Sequence, residues 1–131
     1  MSSNVETVKN MYAAFHRGDI AAILAHLTDD VQWGLGTPNA VPFSGNRHGH
    51  AGVTEFFQAI GGSENNCQVD IKEFLDAGDN VVTIGRYSAG VTATGKSFAT
   101  SLVHVFTFRD GKVCRFIDQV DMVPMVAAHT A

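Results

Sequence analysis

The stretch SLVHVFTFRDGKVCRFIDQVDM, Ser101 to Met122, decides the fold of this chain. It reads as two long strands joined by a tight turn at Asp110-Gly111, because both turn residues tolerate positive φ. Alternation places a histidine, a glutamine and an aspartate where core residues are expected. The hairpin therefore reads as the floor of a pocket.

The segments before it supply the walls. Ser3 followed by Glu6 is a capping-box pattern, and Val5, Val8, Met11, Tyr12 and Phe15 then recur at helical spacing. Gly18 ends that helix. Asp19 caps a short second one whose apolar face is Ile20, Ile23, Leu24 and Leu27. Asp29-Asp30 breaks it, and Val31 to Trp33 follow as a short strand. Residues 34–49 read as a long glycine- and proline-punctuated loop, the kind that often rims a pocket. A third helix runs from about His50 to Ile60 and stops at Gly61-Gly62. The rest is β: Gln68 to Leu75, Val81 to Gly90, Phe98 to Phe108 and Val113 to Asp121, with a short helical tail after Pro124. Helices first and antiparallel strands afterwards predict a single α+β domain over 1–131, with the helices on one face of a curved sheet.

Bulk properties narrow the function classes. The 131 residues are 45% hydrophobic and 17% charged, enough apolar material for a core and too much for disorder. The net charge of −4 comes with no basic stripe, which argues against nucleic acid as a partner. Cys67 and Cys114 lie far apart without metal-ligand spacing, which suits reduced thiols in the cytoplasm. Neither a signal core nor a membrane-spanning run is visible, so no membrane partner is expected. His48-Gly49-His50 has the look of a metal pair but lacks an obvious third ligand, and no metal or other cofactor is expected. His16, His26 and His129 read as surface residues.

The turns predict which side chains meet. A two-residue turn at Asp110-Gly111 pairs Arg109 with Lys112, His104 with Ile117, Leu102 with Gln119 and Thr100 with Asp121. A three-residue turn at Ala93-Thr94-Gly95 sets Arg86 opposite Leu102 and Ser88 opposite Thr100. The predicted cavity face is then Ile84, Arg86, Ser88, His104, Phe106, Gln119 and Asp121, a mixed apolar and polar surface suited to a ligand. Val81, Tyr87, Val103, Val105, Phe116 and Val120 fall on the other face. That much apolar surface predicts a homodimer packed sheet to sheet. A one-residue slip would turn Arg86 outward. His104 and Asp121 are not a dyad in this register, since roughly 13 Å of strand separates them.

Three segments carry a family resemblance: NMYAAFHRGDIAAILAHLTDDVQW, PFSGNRHGHAGVTEFF and HVFTFRDGKVCRFIDQVD. Together they resemble the SnoaL-like branch of the NTF2-like superfamily, which includes ketosteroid isomerases, limonene-epoxide hydrolases and polyketide cyclases. The resemblance implies a cone-shaped α+β barrel around a deep pocket. Against the isomerases, Tyr12 matches the enolate-binding tyrosine, His104 stands at the hydrogen-bonding acid, and the proton-carrying carboxylate falls near Leu35. Against the epoxide hydrolases, Arg86 and Asp121 match, while Ser88 replaces the water-activating aspartate. The cyclases imply an aspartate at the end of the last strand, matched by Asp121, with histidines in the pocket.

The expected activity is cofactor-independent acid/base chemistry (isomerase, cyclase, or a related lyase or hydrolase) on a small apolar carbonyl-bearing or cyclic molecule. Asp121 and His104 are the expected catalytic residues. Tyr12, Trp33, Arg86, Ser88, Phe106 and Gln119 are expected to bind substrate. The alternative is a non-catalytic small-molecule-binding module on the same fold.

Overall fold

Helix α1 (Ser3–His16) opens the computed structural model, which describes residues 3–131. The Ser3 side-chain cap lies outside what is described. Helix α2 (Ile20–Ala25) follows, with the Asp19 carboxylate accepting from the Ala22 N–H at 3.1 Å. Strand β1 (Leu27–Leu35) starts earlier than its apolar pattern suggested, taking Leu27 and both aspartates from the expected helix end. Within the expected loop, Gly45–His48 form strand β2, which pairs with β1 from Gln32 to Leu35. Its sequence, GNRH, has no apolar alternation by which to recognise a strand.

Helix α3 (Gly49–Ser63) runs through Gly61-Gly62 rather than stopping there. Its last turn is tied by the Ser63 hydroxyl, which donates to the Ala59 carbonyl at 2.6 Å. Strands β3 (Glu64–Ala77), β4 (Asn80–Val91), β5 (Ser97–Arg109) and β6 (Lys112–Val120) then meander, and helix α4 (Met122–His129) ends the chain. The six strands form one curved, unclosed sheet in the order β2-β1-β6-β5-β4-β3. All neighbours are antiparallel except β1 and β6. Tyr12 and Met11 of α1, Phe56 and Ile60 of α3, and Met125 of α4 pack against its inner face.

Two one-residue differences in register reverse much of the expected face assignment. Arg109 pairs with Lys112 and Phe108 with Val113, as the turn predicts. The next pair is Thr107 with Arg115, so Cys114 is an extra residue, a β-bulge. Beyond it His104 faces Asp118 and Leu102 faces Val120. At the other hairpin Val91 N–H bonds the Lys96 carbonyl and the loop holds four residues, so Gly85, not Arg86, lies opposite Leu102. Since side chains alternate, each shift moves a whole strand segment to the opposite face. The inner face is therefore Thr83, Gly85, Tyr87, Leu102, His104, Phe106, Phe116, Asp118 and Val120. The outer face receives Arg86, Ser88 and Gln119, together with Val82, Ile84, Val103, Val105 and Ile117.

Gly85 permits the bend of β3 over β4. A Cβ there would overlap the Asp70 carbonyl oxygen and stand 2.8 Å from Ile71 Cα, both backbone atoms that cannot swing aside. Register shifts beside it, between Ile71 and Glu73. Gly85→Ala is expected to destabilise the protein by roughly 1–3 kcal/mol, read as a lower denaturant midpoint. Gly61→Ala is the control: its Cβ meets nothing within 4 Å, and the change should stabilise by about 0.4–1 kcal/mol through the unfolded chain.

Candidate active site

The inner face of the sheet and the helices enclose a cavity of about 80 Å³. Its wall is mostly apolar, including Met11, Phe15, Trp33, Phe56, Phe106 and Phe116. Into this apolar wall the register brings one row of polar groups. The Tyr12 hydroxyl on α1 lies 2.6 Å from the Thr83 hydroxyl on β4 and 2.6 Å from His104 Nδ1 on β5. His104 Nε2 in turn lies 3.0 Å from Asp118 Oδ1 on β6. Only 8% of the His104 side chain and 15% of the Asp118 side chain are exposed.

Hydrogen counting orients the row. Tyrosine and threonine hydroxyls have one proton each, and a neutral imidazole has one N–H. The Thr83 hydroxyl donates to Tyr12, Tyr12 donates to Nδ1, and the imidazole proton sits on Nε2 beside the Asp118 carboxylate. The opposite order would turn a bare Nε2 lone pair on the carboxylate. The Nε2–Oδ1 contact is close, yet among the described residues Oδ1 has no aligned hydrogen-bond donor. The carboxylate therefore sits off the N–H axis and keeps an acceptor site open.

Packing holds this geometry. The His104 ring meets Phe116 edge to face at 4.9 Å, and Tyr12 stacks beside it at 5.8 Å and 20°. Trp33 lies 4.1 Å from Phe116, centroid to centroid. Such pairs contribute about 0.5–1.5 kcal/mol each beyond their area. Burial is the main cause that pushes the Tyr12 hydroxyl far above the usual phenol range. The Thr83 hydrogen bond opposes it and the Asp118 charge reinforces it. Tyr12 is thus a neutral donor at any working pH.

Four of the expected residues line the cavity: Tyr12, Trp33, His104 and Phe106. The other four do not. Asp121 is exposed, and its carboxylate accepts from the Val123 N–H at 3.1 Å as the N-cap of α4. Gln119 and Arg86 are exposed on the outer face, and Ser88 borders a shallow surface depression there. Asp118, not Asp121, is the carboxylate of the cavity, in the place opposite His104 that was assigned to Ile117. Its signal was present in the FIDQVD segment, which offers two aspartates on opposite faces; only the bulge decides between them. Thr83, fully buried, was missed because the β4–β5 loop holds four residues rather than three, which turns it inward.

A second buried carboxylate lies behind Tyr87 of the cavity wall. Glu64 accepts from the Tyr87 hydroxyl at 2.5 Å and lies 2.6 Å from His129 Nε2. This fastens α4 to β3, and it corrects the reading of His129 as a surface residue: 9% of its side chain is exposed. Lys96 Nζ adds a 2.6 Å bond to the Thr130 carbonyl.

A profile of the SnoaL-like domain matches residues 8–116, most of the chain. The chain belongs to the SnoaL-like family. A comparison with curated proteins found no significant match. Among solved structures, this SnoaL-like protein is similar to an NTF2-like protein of unknown function from Burkholderia pseudomallei. The two are 31% identical over 100% of both chains, with a TM-score of 0.91. It is also similar to TerC, co-crystallised with polyporic acid: 30% identity over 99% of this chain and 100% of that one, with a TM-score of 0.89. A protein of ketosteroid isomerase-like fold from Catenulispora acidiphila, in complex with trimethylamine, shares the fold alone. It is 17% identical over 95% of this chain and 92% of that one, with a TM-score of 0.79. The NTF2-like fold expected from the three sequence segments is therefore the fold observed. Among the described residues, no helix is long and apolar enough to cross a membrane.

Both tyrosines of the chain, Tyr12 and Tyr87, are raised far above the free value, burial being the largest cause for each. Absorbance at 295 nm should therefore stay flat as pH passes about 10, where a free tyrosine ionises. It should rise only when the protein unfolds. The sign follows from linkage. The folded state favours the protonated phenol, so the stabilisation is complete below about pH 10 and is lost as pH rises above it toward the folded value. A tyrosinate signal in folded protein near pH 10 would contradict the buried placement.

Proposed function

We propose that this SnoaL-like protein is a cofactor-independent enzyme that moves a proton beside a carbonyl group of a small apolar substrate. Asp118 is the base and His104 the oxygen-side donor. The observation that carries this is the buried row Thr83–Tyr12–His104–Asp118 on an otherwise apolar wall. A structural role alone would call for a fully satisfied row, yet Asp118 Oδ1 keeps an open acceptor position.

The chemistry follows from the hydrogen directions. A substrate carbonyl oxygen near Nε2 accepts the imidazole N–H. The Asp118 carboxylate takes a proton from the adjacent carbon. The C–H electron pair moves into the carbonyl, and negative charge develops on oxygen, where the N–H meets it. Tyr12 holds His104 in the tautomer that keeps this proton on Nε2. Asp118 then returns the proton to the same carbon, or to another position in an isomerisation. The family comparison had left the proton carrier's place at Leu35 without a base. Asp118 lies directly beside Leu35 on the neighbouring strand, so an adjacent strand supplies the carboxylate.

The relative TerC was crystallised with polyporic acid, which supports a small organic ligand for this cavity as well. We also propose a homodimer through the outer sheet face, where Val82, Ile84, Val103, Val105 and Ile117 form the apolar surface. A cytoplasmic location suits two unpaired cysteines.

The test is exchange of the α-protons of cyclohexanone in deuterated buffer, followed by NMR. The wild type should accelerate exchange over buffer, and Asp118→Asn should lower the protein-dependent rate by about 10²–10⁴-fold. Asp121→Asn should leave it intact, because asparagine caps a helix as well as aspartate does. Ligand binding without any proton exchange would favour the non-catalytic binding module. Activity lost in Asp121→Asn and kept in Asp118→Asn would refute the assignment.

A further inference from the structure

The row of hydrogen-bonded groups leaves one buried donor in the cavity unused. Trp33 is 4% exposed, lines the cavity and has no hydrogen-bond partner for Nε1–H among the described residues. A buried indole N–H usually finds an acceptor, and leaving one unpaired costs about 1–3 kcal/mol. The ring is fixed: Phe116, Phe56 and Phe57 surround it at 4.1, 5.7 and 5.8 Å. It therefore cannot swing out to find water at no cost. Trp33 pairs with Phe116 across β1 and β6, and Leu35 with Asp118. Trp33 and Asp118 are thus diagonal neighbours on one face, with Cα atoms roughly 8 Å apart by strand geometry. One is a buried donor without an acceptor. The other is a buried acceptor whose Oδ1 has no aligned donor.

We infer that Trp33 is a specificity-determining residue, and that the ligand is a neutral single-ring compound carrying two oxygens on opposite sides. One is a carbonyl or ether oxygen that accepts from Trp33 Nε1–H. The other is the hydroxyl of an enol or phenol in the place of the reacting carbonyl oxygen, where it accepts from His104 Nε2–H and donates to Asp118. The inference rests on reading this cavity as the substrate site, and it adds the polarity pattern the substrate must present. Neutrality follows from the surroundings. The cavity already holds the Asp118 carboxylate and its apolar wall offers no lysine or arginine, so a ligand anion would be buried beside a like charge. Ring size is bounded by the space: about 80 Å³ is little more than half of an apolar cavity of about 150 Å³ that takes benzene, so one ring is the upper limit and enters only as the walls give way.

Four probes separate the two contacts: 4-hydroxyacetophenone, acetophenone, 4-ethylphenol and ethylbenzene. They share one ring and differ in having both groups, the acceptor only, the donor only, or neither. Trp33 is the chain's single tryptophan, so quenching of intrinsic fluorescence reports occupancy of the cavity in the wild type. Calorimetry serves for the variants. Trp33→Phe removes the N–H and keeps an aromatic ring. It should weaken the two ketones by about tenfold and leave 4-ethylphenol and ethylbenzene bound as before. Asp118→Asn should weaken the two phenols selectively. 4-Hydroxyacetophenone should bind wild type most tightly of the four.

Equal weakening of all four probes by Trp33→Phe would mean that the indole only fills space, and the inference would fall. It would fall equally if none of the probes bound the wild type up to its solubility limit. Proton exchange distinguishes this result from the catalytic reading. Selective ketone loss with no exchange activity removes the catalysis and keeps the ligand pattern. Exchange activity with no selectivity does the reverse.

Discussion

The position of the extra residue Cys114 in β6 governs the chemistry of the whole cavity. Without a bulge there, the Asp110-Gly111 turn would place Ile117, Gln119 and Asp121 inward. With it, Phe116, Asp118 and Val120 face the helices, and His104 stands directly across from Asp118. Burying a carboxylate is costly unless it is paired. The bulge thus sets the carboxylate beside the imidazole, 3.0 Å from Nε2, and the turn remains as the sequence dictates.

The rest of the site follows from that pairing. Tyr12 from α1 and Thr83 from β4 complete the imidazole's second nitrogen, so one helix and three strands converge on a single row of polar groups. Aromatic rings around the row keep each side chain in place. A polar row with fixed neighbours in an apolar enclosure is a preorganised electrostatic environment, and solvent need not reorganise for it to act.

The fold was readable from the sequence, because periodicity is averaged over many residues. The helices, the strand order of the hairpins and the Asp110-Gly111 turn appear close to where apolar spacing and turn residues put them, and the turn at Gly95 holds one residue more than expected. The site was half readable. Tyr12, His104, Trp33 and Phe106 survive a register error, since Tyr12 and Trp33 sit on other elements and β5 keeps its own alternation. Asp118, Thr83, Arg86, Ser88 and Gln119 do not, because their facing depends on a bulge and on one residue of loop length. Neither leaves a compositional mark: Cys114 looks like any strand residue, and Thr92 reads equally well as strand or turn. Strand β2 and the Glu64–His129 pair were hidden for a different cause. Each is defined by a distant partner rather than by its own neighbours in the chain.

That last point bears on how the enclosure comes into being. The hairpins from β3 to β6 join neighbours in sequence and close short loops. The β1–β6 pair joins Trp33 to Phe116, and α4 is fastened by a bond from His129 back to Glu64. Contacts of such separation pay most of their entropy before any interaction repays it. The polar floor of the cavity is consequently built from local pairings. The Trp33 wall and the α4 wall are held by distant pairings, so closing the cavity carries the larger share of the loop-closure cost.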